Sequence, residues 1–140
     1  MSRISGPLFD RIDIQVEVPV LDFNDLMYKN MKSETSEEIR ERVIKARNRG
    51  AERFKALGKK VKSNAELDST DLREFCKLDN ECIEIMRLAY DKFNISPRGY
   101  DRILRLARTI ADLEGNENIT AGNLAEAVQY RTLDRKYRPS

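Results

Sequence analysis

The sequence predicts a mainly α protein, a helical bundle preceded by a lone N-terminal β-strand. Three observations predict it. Five stretches open on a capping residue, at Thr35, Asp68, Asp79, Ser96 and Thr120, and then repeat apolar residues at helical spacing. A single stretch, residues 12–18, alternates apolar and polar residues instead. The composition, 36% charged and 40% hydrophobic, is that of a helix-rich folded chain rather than a disordered one, and 140 residues suffice for one domain with a real core.

The strand comes first. Ile12-Asp13-Ile14-Gln15-Val16-Glu17-Val18 runs up to Pro19, which ends the pattern. One strand is not stable by itself in water, so it pairs with something in this chain or its sheet lies elsewhere. Residues 1–30 are therefore expected to be poorly ordered or paired in a non-native way, and residues 31–140 to form the helical domain. Between the two, residues 22–33 are of mixed character, with Phe23, Leu26, Met27 and Tyr28 available to pack.

Thr35 with Glu38 three residues later is a capping box, so a long helix is expected from there to about Leu57, stopped by Gly58. Ile39, Val43, Ala46, Phe54 and Leu57 form its expected inner stripe, while Arg40, Arg42, Lys45, Arg47, Arg49, Arg53 and Lys55 make the outside basic. That face is the one patch that could touch nucleic acid, although Glu41 and Glu52 interleave and such a face is more often only solvated. A basic loop follows, with a turn-forming Asn64. Asp68 caps a short helix of residues 70–76, and Asp79 caps another of about 80–93. Cys82, Ile85, Met86, Ala89 and Phe93 are the expected buried side of the latter.

The most informative helix begins at Ser96-Pro97-Arg98 and ends at Gly115, with Ser96 as N-cap and proline at the first helical position. Ile103, Leu106, Ala107, Ile110 and Leu113 share one side; Arg98, Arg102, Arg105 and Arg108 share the other. The row reads as a solvated face with ion pairs, or as a phosphate contact led by Arg98, which sits in the first turn where free N–H groups and the helix dipole favour an anion. The last helix, about residues 121–133, is capped by Thr120 and buried through Leu124, Ala127, Val128 and the apolar stem of Arg131; residues 134–140 are expected to fray.

Net charge is +2, from 26 Lys and Arg against 24 Asp and Glu, so bulk charge does not announce a nucleic-acid binder. With no histidine and only Cys76 and Cys82, zinc, haem and histidine-based nucleophilic catalysis are excluded in practice; the cysteines read as buried free thiols in a reducing cytoplasm. No apolar run approaches a membrane span.

The stretch S-P-R-G-Y-D-R-I-L-R-L-A-R-T-I-A-D-L from Ser96 resembles the second-sensor helix of magnesium-chelatase-like AAA+ ATPases, close to the ComM/YifB competence-protein group. I-S-G-P-L-F-D-R-I-D-I-Q-V-E-V-P over residues 4–19 and A-E-A-V-Q-Y-R-T-L-D-R over residues 125–135 carry the same resemblance. It implies that residues 31–140 are the C-terminal lid of such an ATPase and residues 1–30 a remnant of its core. It further implies Arg98 as second sensor, acting in cis or in trans, with Arg102 and Arg105 as weaker candidates that pair with acidic residues on a neighbouring helix. Arg11 becomes the arginine finger, a rigid, always-charged fork for the γ-phosphate bound by an adjoining subunit; without the resemblance it reads as a surface residue between Asp10 and Asp13. The family usually has histidine where this chain has Asn123, for which only a packing or capping role is expected. ATP and Mg²⁺ are the implied cofactors of the complete protein, and neighbouring subunits of a homo-oligomeric ring, a hexamer, are the implied partners, with DNA as a further one.

Neither a G-x-x-x-x-G-K-[ST] loop nor an acidic pair ending an apolar strand occurs in the sequence, so this chain is not expected to hydrolyse ATP by itself. Two roles stay open for the whole ATPase: a competence-type DNA helicase, or a chelatase motor driving Mg²⁺ insertion into a porphyrin. A helical adaptor or DNA-binding module with no ATPase role is the reading from another class.

Overall fold

The helix from Pro97 to Glu114 is the axis on which the other elements pack. In the computed structural model, which describes Ile14, residues 34–58 and residues 60–137 (side chains as far as Arg131), five helices follow one another. They are α1 (Ser36–Ala56), α2 (Ser69–Phe75), α3 (Asn80–Phe93), α4 (Pro97–Glu114) and α5 (Ala121–Tyr137). A 3₁₀ turn, Asn64–Glu66, stands between α1 and α2. Helices α1 and α5 pack on α4, α3 packs on α5, and α2 and the 3₁₀ turn cover α4 further. The four longer helices thus form a row, α1–α4–α5–α3, with α1 and α3 at its two edges.

The capping chemistry holds as the sequence predicts. The Thr35 hydroxyl accepts from the N–H of Glu38 (3.1 Å), whose carboxylate in turn accepts from the N–H of Thr35 (3.2 Å). Asp68 and Asp71 make the same reciprocal pair at α2, Asp79 accepts from the N–H of Cys82 (2.8 Å), and Ser96 accepts from that of Gly99 (3.0 Å). Helix α4 ends at Gly115, whose φ of 80° places it in the left-handed region. The Arg49 guanidinium packs against this cap, so a Cβ there would meet its Nη1 at 3.2 Å.

Ile103, Leu104, Leu106, Ala107, Ile110 and Ala111 of α4 are all buried, against Phe54, Leu72, Phe75, Met86, Leu124 and Val128. Each large apolar side chain so buried contributes about 1.5–3 kcal/mol. Phe54 and Phe75 meet edge to face at 5.5 Å. Cys76 and Cys82 are buried free thiols.

Several expectations are corrected. The inner stripe of α1 is covered only through Ala46, Gly50 and Phe54; Ile39 and Val43 are exposed, as is every residue from Ser36 to Lys45, and so is Leu57, the C-cap at the other end of the helix. Leu113 is exposed on the last turn of α4, where the chain turns away to α5. Helix α5 continues to Tyr137 rather than stopping near Leu133, since Pro139 is the first residue that forbids helix. Of residues 12–18, expected to be a strand, only Ile14 is described, and it has no regular structure; the rest, like residues 22–33 and Arg11, lie outside the described residues. Among the described residues, no helix is long and apolar enough to cross a membrane.

Candidate functional site

The arginine row of α4 is not one face but a gradient. Arg98 is exposed, Arg102 and Arg105 are half-buried, and Arg108 retains only 2% of its accessibility. The cause is the packing just described: α1 and the loop after it cover the C-terminal half of α4, while the Arg98 side of its first turn remains open.

At the closed end, one carboxylate gathers the charge. Asp112 accepts from Arg53 of α1 through both oxygens, from Arg108 Nη2 at 3.1 Å and from Asn64 Nδ2 at 3.0 Å. Arg108 also donates to the carbonyls of Asn116 (2.9 Å) and Glu117 (3.0 Å), tying down the turn that leads into α5. Burial lowers the Arg108 pKa, and Asp112 opposes that shift. Asn64 donates as well to the Thr109 hydroxyl (3.1 Å), which in turn donates to the Arg105 carbonyl (3.0 Å). Beside this network lies a cleft of about 320 Å³ between α1 and the loop, lined by Arg47, Gly50, Lys62 and Asn64 among others.

Arg105 spends its charge on backbone: Nε and Nη2 both donate to the Leu67 carbonyl, at 2.9 and 2.7 Å. The expected pairing of Arg105 with an acidic residue of a neighbouring helix is therefore replaced by capture of the carbonyl that ends the 3₁₀ turn. Arg102 lines a second cleft, of about 280 Å³, together with Arg105, Ala65, Thr109 and Ile14.

The open end is different. Arg98 stands at the second position of α4, directly after Pro97, on the exposed surface. Among the described residues, no buried carboxylate claims it in the way that Asp112 claims Arg108. Gly99 follows it and is buried; a Cβ at Gly99 would lie 3.7 Å from Nη2 of Arg131, which arrives from α5. Sequence reading credited Arg131 only with an apolar stem. The backbone path of α5 across the start of α4 brings the second guanidinium there, and no local pattern could have announced it. Next to this end is a cleft of about 550 Å³ lined by Pro97, Tyr100, Asp101, Arg73 and Lys77 among others, and burial pushes the Tyr100 phenol above its ordinary pKa.

Asn123 is 1% exposed and completes a third reciprocal cap. Its N–H donates to Thr120 Oγ1 (3.2 Å) and its Oδ1 accepts from the N–H of Thr120 (3.0 Å). Its amide also donates to Glu114 at 2.7 Å, so the position caps α5 and fastens it to the end of α4. Among the described residues, no group of three or more His, Cys, Asp or Glu side chains could hold a metal ion.

Comparison with known proteins gives the family of the chain. Residues 33–131 match the family described as the C-terminal part of the magnesium chelatase subunit ChlI. The chain is 39% identical over 135 residues to competence protein ComM of Haemophilus influenzae, covering 96% of this chain and 25% of that protein. It is 38% identical to YifB of Escherichia coli over 135 residues, 96% of this chain and 26% of that protein. A protein of Mycobacterium tuberculosis, Rv2897c, is 31% identical over 131 residues, 94% of this chain and 25% of its own length. The chain thus spans about a quarter of the length of the curated relatives it matches.

Proposed function

The chain belongs to the family of magnesium chelatase ChlI C-terminal domains, and from that premise we propose that it is the lid of a AAA+ ATPase, coupling ATP binding and hydrolysis to ring conformation. The observation that carries the reading is the position of Arg98. Three of the four α4 arginines are half-buried or buried, two of them on identified fold partners, and the fourth stands exposed in the first turn of an 18-residue helix. An exposed cation at a helix N-terminus suits a phosphate, since side-chain charge and backbone N–H groups act in the same direction.

In this reading Arg98 is the second sensor, Arg102 a supporting contact one turn on, and Arg11 the finger serving the adjoining site. ATP with Mg²⁺ would supply the transferable phosphoryl group and its charge-neutralising metal. This chain contributes guanidinium groups to that phosphate and no loop to cradle it. The ring is homo-oligomeric, a hexamer in the cytoplasm, and its work is of the competence type, a helicase acting on recombination intermediates. The 39% identity to a protein named for competence supports that role, while the family description supports the alternative, a chelatase motor acting through a partner on a porphyrin.

The test is steady-state ATP turnover of the complete polypeptide, wild type against Arg98→Ala, with and without branched DNA. A fall of at least about tenfold, equivalent to about 1.4 kcal/mol of transition-state stabilisation, together with DNA stimulation of the wild type, is expected. Turnover indifferent to DNA would favour the chelatase role; turnover untouched by Arg98→Ala would remove the sensor assignment.

A further inference from the structure

The two edges of the helix row carry unlike surfaces that fit one another. At one edge, α1 overhangs: its first ten residues, Ser36–Lys45, are all exposed, a length of about 15 Å at helical rise. The apolar stripe that α4 covers at Ala46, Gly50 and Phe54 runs on uncovered through Val43 and Ile39, which are 39% and 45% exposed. Arg42 flanks that stripe on one side, and Arg40 and Arg47 on the other, by helical spacing. The uncovered surface is therefore apolar in the middle and cationic at both margins.

At the other edge, α3 buries Cys82, Met86 and Ala89 against α5. Its opposite face, by the same spacing, reads Glu81, Glu84, Leu88, Asp91. Leu88 is 69% exposed, more than any other large hydrophobic described, and three carboxylates outnumber the one amine, Lys92, that shares its face. Exposed apolar groups inside a charged frame mark contact surfaces more often than scattered single ones do. The two ion pairs already present at these edges, Arg42 with Glu34 and Arg87 with Glu84, are more than half exposed and so hold their partners weakly.

We infer that the two edges meet between copies of this chain: the overhanging start of α1 on one copy lies against the outer face of α3 on the next. Leu88 fills the stripe between Ile39 and Val43, and Glu81, Glu84 and Asp91 face Arg40, Arg42 and Arg47. Because the two patches differ and lie at opposite ends of the row, the contact is head-to-tail, the kind that propagates into a ring or a filament rather than closing as a two-fold dimer. A few side chains fall short of the roughly 1,200 Å² that a stable interface needs. The contact therefore works inside an assembly held by other parts, where it fixes the angle between successive lids. The inference rests on the ring reading above for the presence of a neighbouring copy.

Cysteine cross-linking in the complete polypeptide tests it. Val43→Cys and Leu88→Cys are made in separate preparations, mixed, assembled with nucleotide and oxidised, with cross-linked peptides identified by mass spectrometry. Cys76 and Cys82 are buried and do not compete. A 43–88 disulfide that forms in the mixture and in neither preparation alone is expected. Its yield should fall several-fold with Glu84→Lys and recover when Arg42→Glu is placed on the other copy. A 43–43 or 88–88 disulfide would overturn the head-to-tail arrangement. An assembled species without the 43–88 bond would overturn the contact and leave the ATPase reading intact, whereas no assembled species with any nucleotide would remove the ring reading and this inference with it.

Discussion

Arg53 of α1 holds Asp112 of α4 through both carboxylate oxygens, across 59 residues of sequence. The carboxylate is 3% exposed, and Arg108 and Asn64 take its remaining acceptor capacity. A buried charge cluster of this kind is stabilising only while complete, because each member's desolvation is offset by the others. Asp112→Ala leaves two guanidinium groups facing each other without an anion and is expected to cost about 3–5 kcal/mol. Urea denaturation of the chain measures it; a loss below about 1 kcal/mol would mean that the cluster is not what joins α1 to α4.

Gly50 sits in the interior of α1, where glycine costs about 0.5–1 kcal/mol relative to alanine. A Cβ there would find Phe54 at 3.8 Å and Asp112 Oδ2 at 3.9 Å, ordinary contact distances. Gly50→Ala is therefore expected to stabilise the bundle by about that amount, read as a rise in melting temperature. A drop would indicate that α1 and α4 are in closer contact than these distances allow.

Much of this fold is legible in the sequence, for reasons that are local. The caps at Thr35, Asp68, Asp79 and Ser96 and the stop at Gly115 depend on residues within four positions of one another, so the helix starts follow directly. Period alone finds Ile103, Leu106, Ala107 and Ile110 of the α4 core face, misses Leu104 and Ala111, and wrongly adds Leu113. What period does not reveal is which part of a helix its neighbours reach. Ile39 and Phe54 belong to one stripe, yet one is exposed and the other buried, since α4 meets only the second half of α1. Arg98 and Arg108 belong to one row, yet only Arg108 has Asp112 and the following turn closed around it. The arrival of Arg131 beside Gly99 is a tertiary fact with no sequence signal.

Burial pushes both thiols, Cys76 and Cys82, up to about 11 from an ordinary value of 9.0. A raised thiol pKa in the fold means that its stabilising share is whole below about 9 and is lost as pH rises toward 11. It also means about 100-fold less thiolate at neutral pH than an ordinary cysteine offers. Alkylation by iodoacetamide at about pH 8 is expected to be slow in the native chain and to accelerate sharply in urea. Equal rates in both would contradict the burial of these side chains.

Ile103 is fully buried at the centre of α4. Placing an unpaired carboxylate there, as in Ile103→Asp, is expected to abolish the cooperative melting transition, because burying an unpaired charge exceeds what a marginally stable domain can offset. Circular dichroism checks it, and retention of a native-like melt would show that the α4 core face is not where the bundle is held.

The proposed function divides α4 into an open end that serves phosphate and a closed end that serves the fold. Its most direct test compares Arg98→Ala with Arg108→Ala in the complete polypeptide, measuring melting temperature and ATP turnover on the same samples. Arg98→Ala should melt like the wild type, within about 0.5 kcal/mol as for a surface change, and lose turnover. Arg108→Ala should lose stability, because Asp112 and the Asn116–Glu117 carbonyls lose their donor. Equal destabilisation by both, or full turnover in a stable Arg98→Ala variant, would contradict the division.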